Sequence, residues 1–439
     1  MKILLILPRL EHGVATYKDK VSWASIILGY PELTLPYIAA LIPDKHTVEI
    51  INVNYEDIDY NQKVDLVGIS CLTMFAPRVY KIADEFRQKG VKVVLGGWHP
   101  TALPKEAKQH ADSVVIGEVE LTWPQLLKDL ERGKLKPFYR SEQDFDMSIV
   151  PPLRRDLIKH MTFLGSVMST RGCPYHCEYC AITNFYNQRI KHRPIKNVVE
   201  EIKQMPNKLI LLHDPSLTAD PNYAQKLFKA IIKEKIRKRW AANGNVNVLA
   251  KINEEFLNLA RKAGCIEWFV GFESINQSSL DTIKKTSNKV KDFKKMIKRV
   301  HDHGMVVQGG IIFGFDQDTP DVFDTTLEKI YEWKLDIVEV NILTPYPGTP
   351  LYNRFEREGR IITKDWSRYN QVDVVFQPKQ MSSKELLDGA RKVAKEFYTI
   401  PNIMSRFARI MMISKRLGGL MPTGTNFAYR RYYKRDYNF

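Results

Sequence analysis

The sequence contains no apolar stretch approaching the roughly 18 residues that a membrane-spanning helix requires. Its longest apolar runs, such as Ile3 to Pro8 and Ile311 to Phe315, are far shorter. No transmembrane helix is expected. Met1-Lys2 followed by Ile3 to Leu7 superficially resembles a leader peptide, but Arg9 and Glu11 follow at once, so the run reads as a first β-strand. Cysteine is scarce. Five cysteines in 439 residues cannot build a secreted disulfide framework, and a reducing, cytoplasmic setting is expected. Internal repeats and low-complexity tracts are absent, and the 44% hydrophobic and 26% charged residues exclude an extended disordered or collagen-like chain. Acidic residues are in deficit, with 50 Asp and Glu against 66 Lys and Arg. The shortage is greatest in residues 401–439, where eight basic residues face Asp436 alone. An anionic partner such as a membrane surface, nucleic acid or phosphorylated metabolite would suit that charge.

What is present is a repeated alternation of short β-rich runs with helical patterns. Lys2 to Pro8, Thr47 to Val53, Leu66 to Ser70, Val91 to Gly96 and Ser113 to Ile116 read as buried parallel strands. Ala76 to Lys89 between them puts Val79, Ile82, Ala83 and Phe86 on one helical face. Residues 1–135 therefore read as a doubly wound α/β domain of Rossmann type. Residues 136–160, with Pro137, Pro151 and Pro152, read as a linker. The alternation restarts in 161–360, with strands expected at Phe163 to Met168, Lys208 to His213, Trp240 to Asn243, Ile266 to Phe272, Val306 to Phe313 and Ile337 to Leu343. Six βα units predict an open barrel whose C-terminal strand ends carry the chemistry. Residues 361–439 read as a mainly helical, basic region.

The sharpest signal is Thr170-Arg171-Gly172-Cys173-Pro174-Tyr175-His176-Cys177-Glu178-Tyr179-Cys180, directly after the first barrel strand. Four-iron clusters normally take four cysteines. Only Cys71 and Cys265 remain, each in a buried strand context, which leaves one iron open to chelation by a small molecule. The paired C-x2-C knuckles of structural zinc are missing. This motif resembles the signature of the radical S-adenosylmethionine (SAM) superfamily. The resemblance implies a 4Fe-4S cluster on Cys173, Cys177 and Cys180, preceded by the aromatic Tyr179, with SAM chelating the fourth iron. It also implies SAM contacts from Asp214 after the second barrel strand, Glu273 and Ser274 after the fourth, and Gly310 in the glycine-rich fifth. Asp214 as a helix N-cap and Glu273 as half of a buried salt bridge are the alternatives. Pro347-Gly348-Thr349 resembles a turn of the same family.

Beyond the superfamily, the chain is similar to the branch with an N-terminal cobalamin-binding domain. Gly96-Gly97-Trp98-His99 and Gly117-Glu118-Val119-Glu120 carry that likeness. The implied cobalamin contacts are Gly96, Gly97, His99, Gly117 and Glu118, with a turn-stabilising role as the alternative for His99. The D-x-H-x-x-G motif that supplies an axial histidine is absent; Asp44-Lys45-His46 lacks its glycine. The fold class expected is α/β: a Rossmann-like cobalamin-binding domain, a partial (β/α)6 TIM-like radical SAM barrel and a helical C-terminal region. The activity implied is C-methylation of a hydrophobic lipid or isoprenoid, with radical cyclisation or carbon–carbon coupling on a lipid or tetrapyrrole as the alternative. The electron donor implied is a flavodoxin or ferredoxin. RNA modification is disfavoured because relatives of that kind carry a second cluster, for which too few cysteines remain. Finally, Ile403, Met404, Phe407, Ile410 and Met411, with Arg406, Arg409 and the tyrosines Tyr429, Tyr432, Tyr433 and Tyr437 further on, suggest peripheral membrane contact, with packing of this helix on the barrel and RNA binding as the alternatives.

Overall fold

The computed structural model describes residues 1–8, 33–141, 144–160, 162–414 and 420–436. Val, Ile and Leu run without alternation through β1 (Lys2–Leu7), β2 (Thr47–Asn52), β3 (Leu66–Ser70), β4 (Lys92–Gly96) and β5 (Ser113–Ile116), as strands covered on both faces require. These five form a parallel sheet in the order β2-β1-β3-β4-β5, to which β6 (Phe138–Arg140) adds a sixth parallel strand. Helix α1 (Ala76–Gln88) buries Val79, Ile82, Ala83 and Phe86 against it. The expected linker therefore begins with a strand. Only the middle residue of β6, Tyr139, is buried, which leaves no hydrophobic run to betray it.

The second sheet is also all parallel, in the order β14-β13-β12-β11-β10-β7. Its strands are β7 (Leu164–Val167), β10 (Leu209–Leu212), β11 (Arg239–Gly244), β12 (Cys265–Glu273), β13 (Val306–Phe313) and β14 (Ile337–Ile342). Each neighbour in the sheet is the next strand in the chain apart from a small antiparallel hairpin, β8 (Thr170–Gly172) with β9 (Ile190–His192), inserted after β7. Helix α2 (Ala181–Phe185) follows the cysteine loop inside that insertion, and α3 (Pro221–Lys233), capped by Asp220, crosses from β10 to β11. The result is the expected six-stranded open barrel.

Residues 361–380 are irregular rather than helical. Trp366 and Tyr369 are buried in the core of the N-terminal sheet beside Val79 and Phe86, so this stretch straps the two sheets together. Helix α4 (Ser383–Phe397) then starts at a capping box formed by Ser382 and Glu385. It is followed by α5 (Ile400–Ser414) and α6 (Leu420–Asp436). These pack in the opposite sense to that expected for a membrane-facing surface. Arg406 is buried, donating to Asn426 Oδ1 at 3.0 Å with its guanidinium 3.7 Å over the Phe397 ring. Arg409 pairs with Asp336 at 3.2 Å. Ile403, Ile410, Tyr429 and Tyr433 are buried too, while Tyr437 lies outside the described residues.

Two tyrosines close the open edge of the barrel. Tyr398 Oη donates to Val338 O at 2.6 Å and accepts from Val338 N at 3.1 Å. Tyr433 Oη does the same for Val340, accepting from N at 2.7 Å and donating to O at 3.3 Å. With the Tyr398, Tyr429 and Tyr433 rings packed mutually at 5.7 to 5.8 Å, side-chain hydroxyls replace the ladder of a missing neighbour strand. Phenylalanine at 433 keeps the ring and strands a buried N–H. Tyr433→Phe should therefore cost about 1 to 3 kcal/mol, read as a lower urea midpoint at unchanged m-value; an unchanged midpoint would refute the cap.

Candidate functional site

The C-terminal strand ends of the two sheets open onto one cavity of about 540 Å³. From the N-terminal sheet it is lined by Gly96, Gly97, Trp98, Gly117 and Glu118, and from the barrel by Met168, Arg171, His213, Asp214 and Asn243. Side chains from α2 and its flank, Ile182, Phe185 and Tyr186, complete the wall. Gly97 has φ +97° and sits so close to Cys71 that a Cβ would meet its carbonyl oxygen at 2.9 Å. Gly117 has φ +83°, and nothing lies within 4 Å of where its Cβ would stand. One glycine is needed for packing, the other leaves a bare stretch of backbone facing open space.

His99 is not on this wall. Its ring is fully buried and its Nε2 lies 3.0 Å from Tyr80 Oη and 3.1 Å from Glu106 Oε1, with Trp366 against its edge. It stabilises the turn after β4 and joins it to the 361–380 strap, and the cavity residue of that turn is its neighbour Trp98, stacked on Phe185 at 5.4 Å. Nor does His46 reach the cavity. It is buried beside the amino terminus, at the far end of the sheet, with Glu131.

Cys173, Cys177 and Cys180 share one loop between β8 and α2, and no disulfide engages them. The loop is held from outside: Glu178 takes two charge-assisted bonds from Arg354, at 2.9 and 3.1 Å, and its backbone bonds to Ile283 O and Leu351 N. Burial pushes the Cys177 thiol up to about 12, while the Lys285 ammonium pulls in the opposite direction on Cys173 and Cys177. Among the described residues no group of His, Cys, Asp and Glu is arranged to hold a single metal ion.

Lys285 was not legible in the sequence. It donates to Glu273 Oε1 at 2.7 Å and lies 3.4 Å from Tyr179 Oη, which brings the aromatic of the cysteine motif and the end of β12 together. Glu273 holds φ +65°, and Ser274 accepts from Asn276 N at 3.0 Å. The salt-bridge alternative for Glu273 is present in the structure. Gly310 pairs with Gly271 across β12 and β13, and other side chains fill the space in front of them: a Cβ on Gly310 would meet Phe269 Cζ at 3.1 Å, and one on Gly271 would clash with the Glu273 carboxylate. Asp214 is fully buried and accepts from Ser169 N at 2.6 Å, Ser169 Oγ at 2.5 Å and Thr170 N at 2.7 Å. It caps no helix; the cap of α3 is Asp220. Asp214 instead fastens the entry to the cysteine loop, with burial raising its carboxyl to about 6.

A charge cluster joins this loop to the N-terminal domain. Arg171 donates to Glu120 and, at 3.2 Å, to Glu118, and Glu118 also takes Lys191 at 2.6 Å. Tyr37 donates to Glu120 and lies under the guanidinium, 4.9 Å from it. Arg171 and Glu120 are both buried.

A radical SAM superfamily model matches residues 167–330, and a B12 binding domain model matches residues 23–127. The chain thus carries a radical SAM domain and a B12-binding domain. A third model, a domain of unknown function, matches residues 349–423. Bacteriochlorophyllide d C-12(1)-methyltransferase of Chlorobaculum tepidum is 29% identical over 92% of this chain and 89% of its own. The hopanoid C-2 methylase of Rhodopseudomonas palustris is 24% identical over 87% of this chain and 74% of its own. TsrM from Kitasatospora setae, a radical SAM methyltransferase solved with cobalamin and a [4Fe-4S] cluster, superposes with a TM-score of 0.65 at 16% identity, covering 89% of this chain and 88% of that one. A chain that joins these two domains is a radical SAM enzyme, and the cofactor set the domains imply is a 4Fe-4S cluster, SAM and cobalamin. The residues present fit that set: three free thiols share one loop, and the cavity lined by Gly96, Gly97 and Gly117 is bordered by Arg171, Ile182 and Phe185 on either side of that loop, although the cysteines themselves do not line it.

Because Arg171 and Glu120 are buried partners, removing Arg171 leaves Glu120 only the Tyr37 hydroxyl, and removing Glu120 leaves Arg171 only the longer bond to Glu118. Arg171→Met should cost about 3 kcal/mol or more, and Arg171→Met/Glu120→Leu should cost less than the sum of the two single changes. Strict additivity in urea unfolding would show that the pair is not coupled.

Proposed function

We propose that the protein transfers a methyl group from methylcobalamin to an unactivated carbon of a large, apolar substrate. The observation that carries this reading is the single cavity shared by the C-terminal edges of both sheets, the edge at which open α/β sheets and barrels bind ligands. When bound, the cluster supplies the electron for reductive cleavage of SAM, and the cobalamin carries the methyl group. Cys173, Cys177 and Cys180 are the cluster ligands in this reading. Tyr179, Glu273, Ser274 and Gly310 surround SAM, together with Lys285, whose ammonium offers a counter-charge to a carboxylate. Gly96, Gly97, Gly117 and Glu118 lie against cobalamin. The apolar walls, including Leu5, Leu7, Ile69, Val115 and Met168, would exclude water from a radical and accept a hydrophobic body. The substrates named for the relatives, a bacteriochlorophyllide and a hopanoid, are bodies of that kind.

Ring closure is the second reading, favoured by similarity to the anaerobic magnesium-protoporphyrin IX monomethyl ester cyclase of Cereibacter sphaeroides, 24% identical over 91% of this chain. Product stoichiometry separates the two. Methylation should yield 5′-deoxyadenosine and S-adenosylhomocysteine in equal amounts, since one SAM generates the radical and a second restores the methyl carrier. Cyclisation should yield 5′-deoxyadenosine without S-adenosylhomocysteine. Anaerobically reconstituted enzyme, given labelled SAM, reductant and tetrapyrrole or hopanoid acceptors, reads both products directly.

Site assignments are tested before any substrate is known. Changing all three cysteines to Ala should abolish the cluster absorption and reductive SAM cleavage; cleavage by the triple variant would refute the ligand set. Asp214→Ala, which removes the anchor of the loop entry, should lower iron retention after gel filtration, whereas Asp214→Asn keeps a carbonyl acceptor for the two backbone N–H groups and should retain it. Full iron with weakened SAM binding in both variants would instead make Asp214 a SAM contact.

A further inference from the structure

Helix α5 is amphipathic in reverse. Its charged residues, Arg406 and Arg409, both turn inward, to Asn426 and to Asp336. Its outward face consists of Ile400, Pro401, Met404, Ser405, Ala408 and Met412, and carries no charge. Relative exposure reaches 49% at Met404 and 73% at Met412. Single exposed apolar residues need no explanation, but an uncharged face over the whole helix, about 22 Å long, does. Of the eleven exposed large hydrophobic side chains among the described residues, four (Ile400, Met404, Met412 and Phe427) belong to α5 and α6.

From Tyr398 to Lys434 the chain carries charge of one sign. No Asp or Glu occurs between Phe397 and Arg435. Beside Phe427, α6 exposes Arg431 and Lys434. A convex apolar helix face bordered by exposed cations, with acidic residues excluded, is complementary to an anionic lipid surface, in which such a helix lies with its apolar side among the acyl chains. Unbranched methionine side chains suit a fluid contact that has no fixed shape.

We propose that the exposed faces of α5 and α6 form a docking surface for an anionic lipid bilayer, with Ile400, Met404, Met412 and Phe427 entering the interface and Arg431 and Lys434 contacting headgroups. The surface differs from the one the sequence periodicity suggests. Ile403 and Ile410 are buried, and the arginines of α5 are spent on the barrel. The proposal is independent of the reaction catalysed, and its test involves no turnover.

The test is flotation of the full chain with vesicles of equal parts phosphatidylcholine and phosphatidylglycerol, and with phosphatidylcholine alone. The protein should float with the anionic vesicles and stay behind with the neutral ones. Met404→Glu/Met412→Glu and Arg431→Glu/Lys434→Glu should each reduce partitioning about tenfold or more at unchanged melting temperature, since all four positions are exposed. Should the glutamates at 404 and 412 lower the melting temperature, Met404→Gln/Met412→Gln serves as the second apolar-face variant. Failure of the wild-type chain to float, or equal flotation of the apolar-face variant, would overturn the proposal. So would dimerisation, seen by sedimentation without vesicles and abolished by the apolar-face variant, because the face would then be covered by a second copy.

Discussion

The ion cluster of Arg171 with Glu118 and Glu120 holds the two halves of this molecule in register. Arg171 stands on β8, directly before the loop that carries the three cysteines, and the glutamates stand on the loop after β5 that faces the cavity. The β8–β9 hairpin belongs to neither large sheet, and the glutamate loop has no regular structure. What fixes them is a buried positive charge that cannot be left without its carboxylates, and burial makes the requirement strict. Lys191 on β9 adds a bond to Glu118 and Tyr37 from the N-terminal domain one to Glu120, so a shift of either domain would break several charge-assisted bonds together. Trp98 on Phe185 adds an apolar contact across the same seam. The residues that span it are adjacent in sequence to the residues proposed to bind cofactors, so domain docking and cofactor spacing are set by one piece of chain.

The parallel strands were legible because a strand covered on both faces is apolar along most of its length, and eleven of the twelve strands in the two sheets follow that rule, separated by helical periodicity. Where that pressure is absent the pattern fails. β6 exposes Phe138 and Arg140, and β8 is three residues inside a motif whose composition serves other ends. The cysteines and the two glycine loops could be read because residue type and spacing alone limit what they can do. His99 could not be placed, since whether a histidine after a strand turns to the cavity or to the core depends on Glu106 and Trp366, and the latter is brought in from far along the chain. Lys285 likewise gains its meaning only when β12 folds Glu273 toward Tyr179. The face of α5 was misassigned for the same reason. Arg406 reads as solvent-facing by its charge, until Asn426 and the Phe397 ring make the inside the better place for it.

The hydroxyl caps on β14 have a temporal side. β14 can pair with β13 as soon as it leaves the ribosome, but Tyr433, which covers Val340, is 93 residues away in the chain. At typical translation rates those residues take on the order of ten seconds to make. Throughout that interval the outer edge of the barrel presents its peptide groups to any other strand nearby. Tyr398, 60 residues from the Val338 it covers, shortens the exposure for half of the edge. The barrel is thus closed in two instalments, the first when α4 emerges and the second only once α6 has been synthesised and laid beside it.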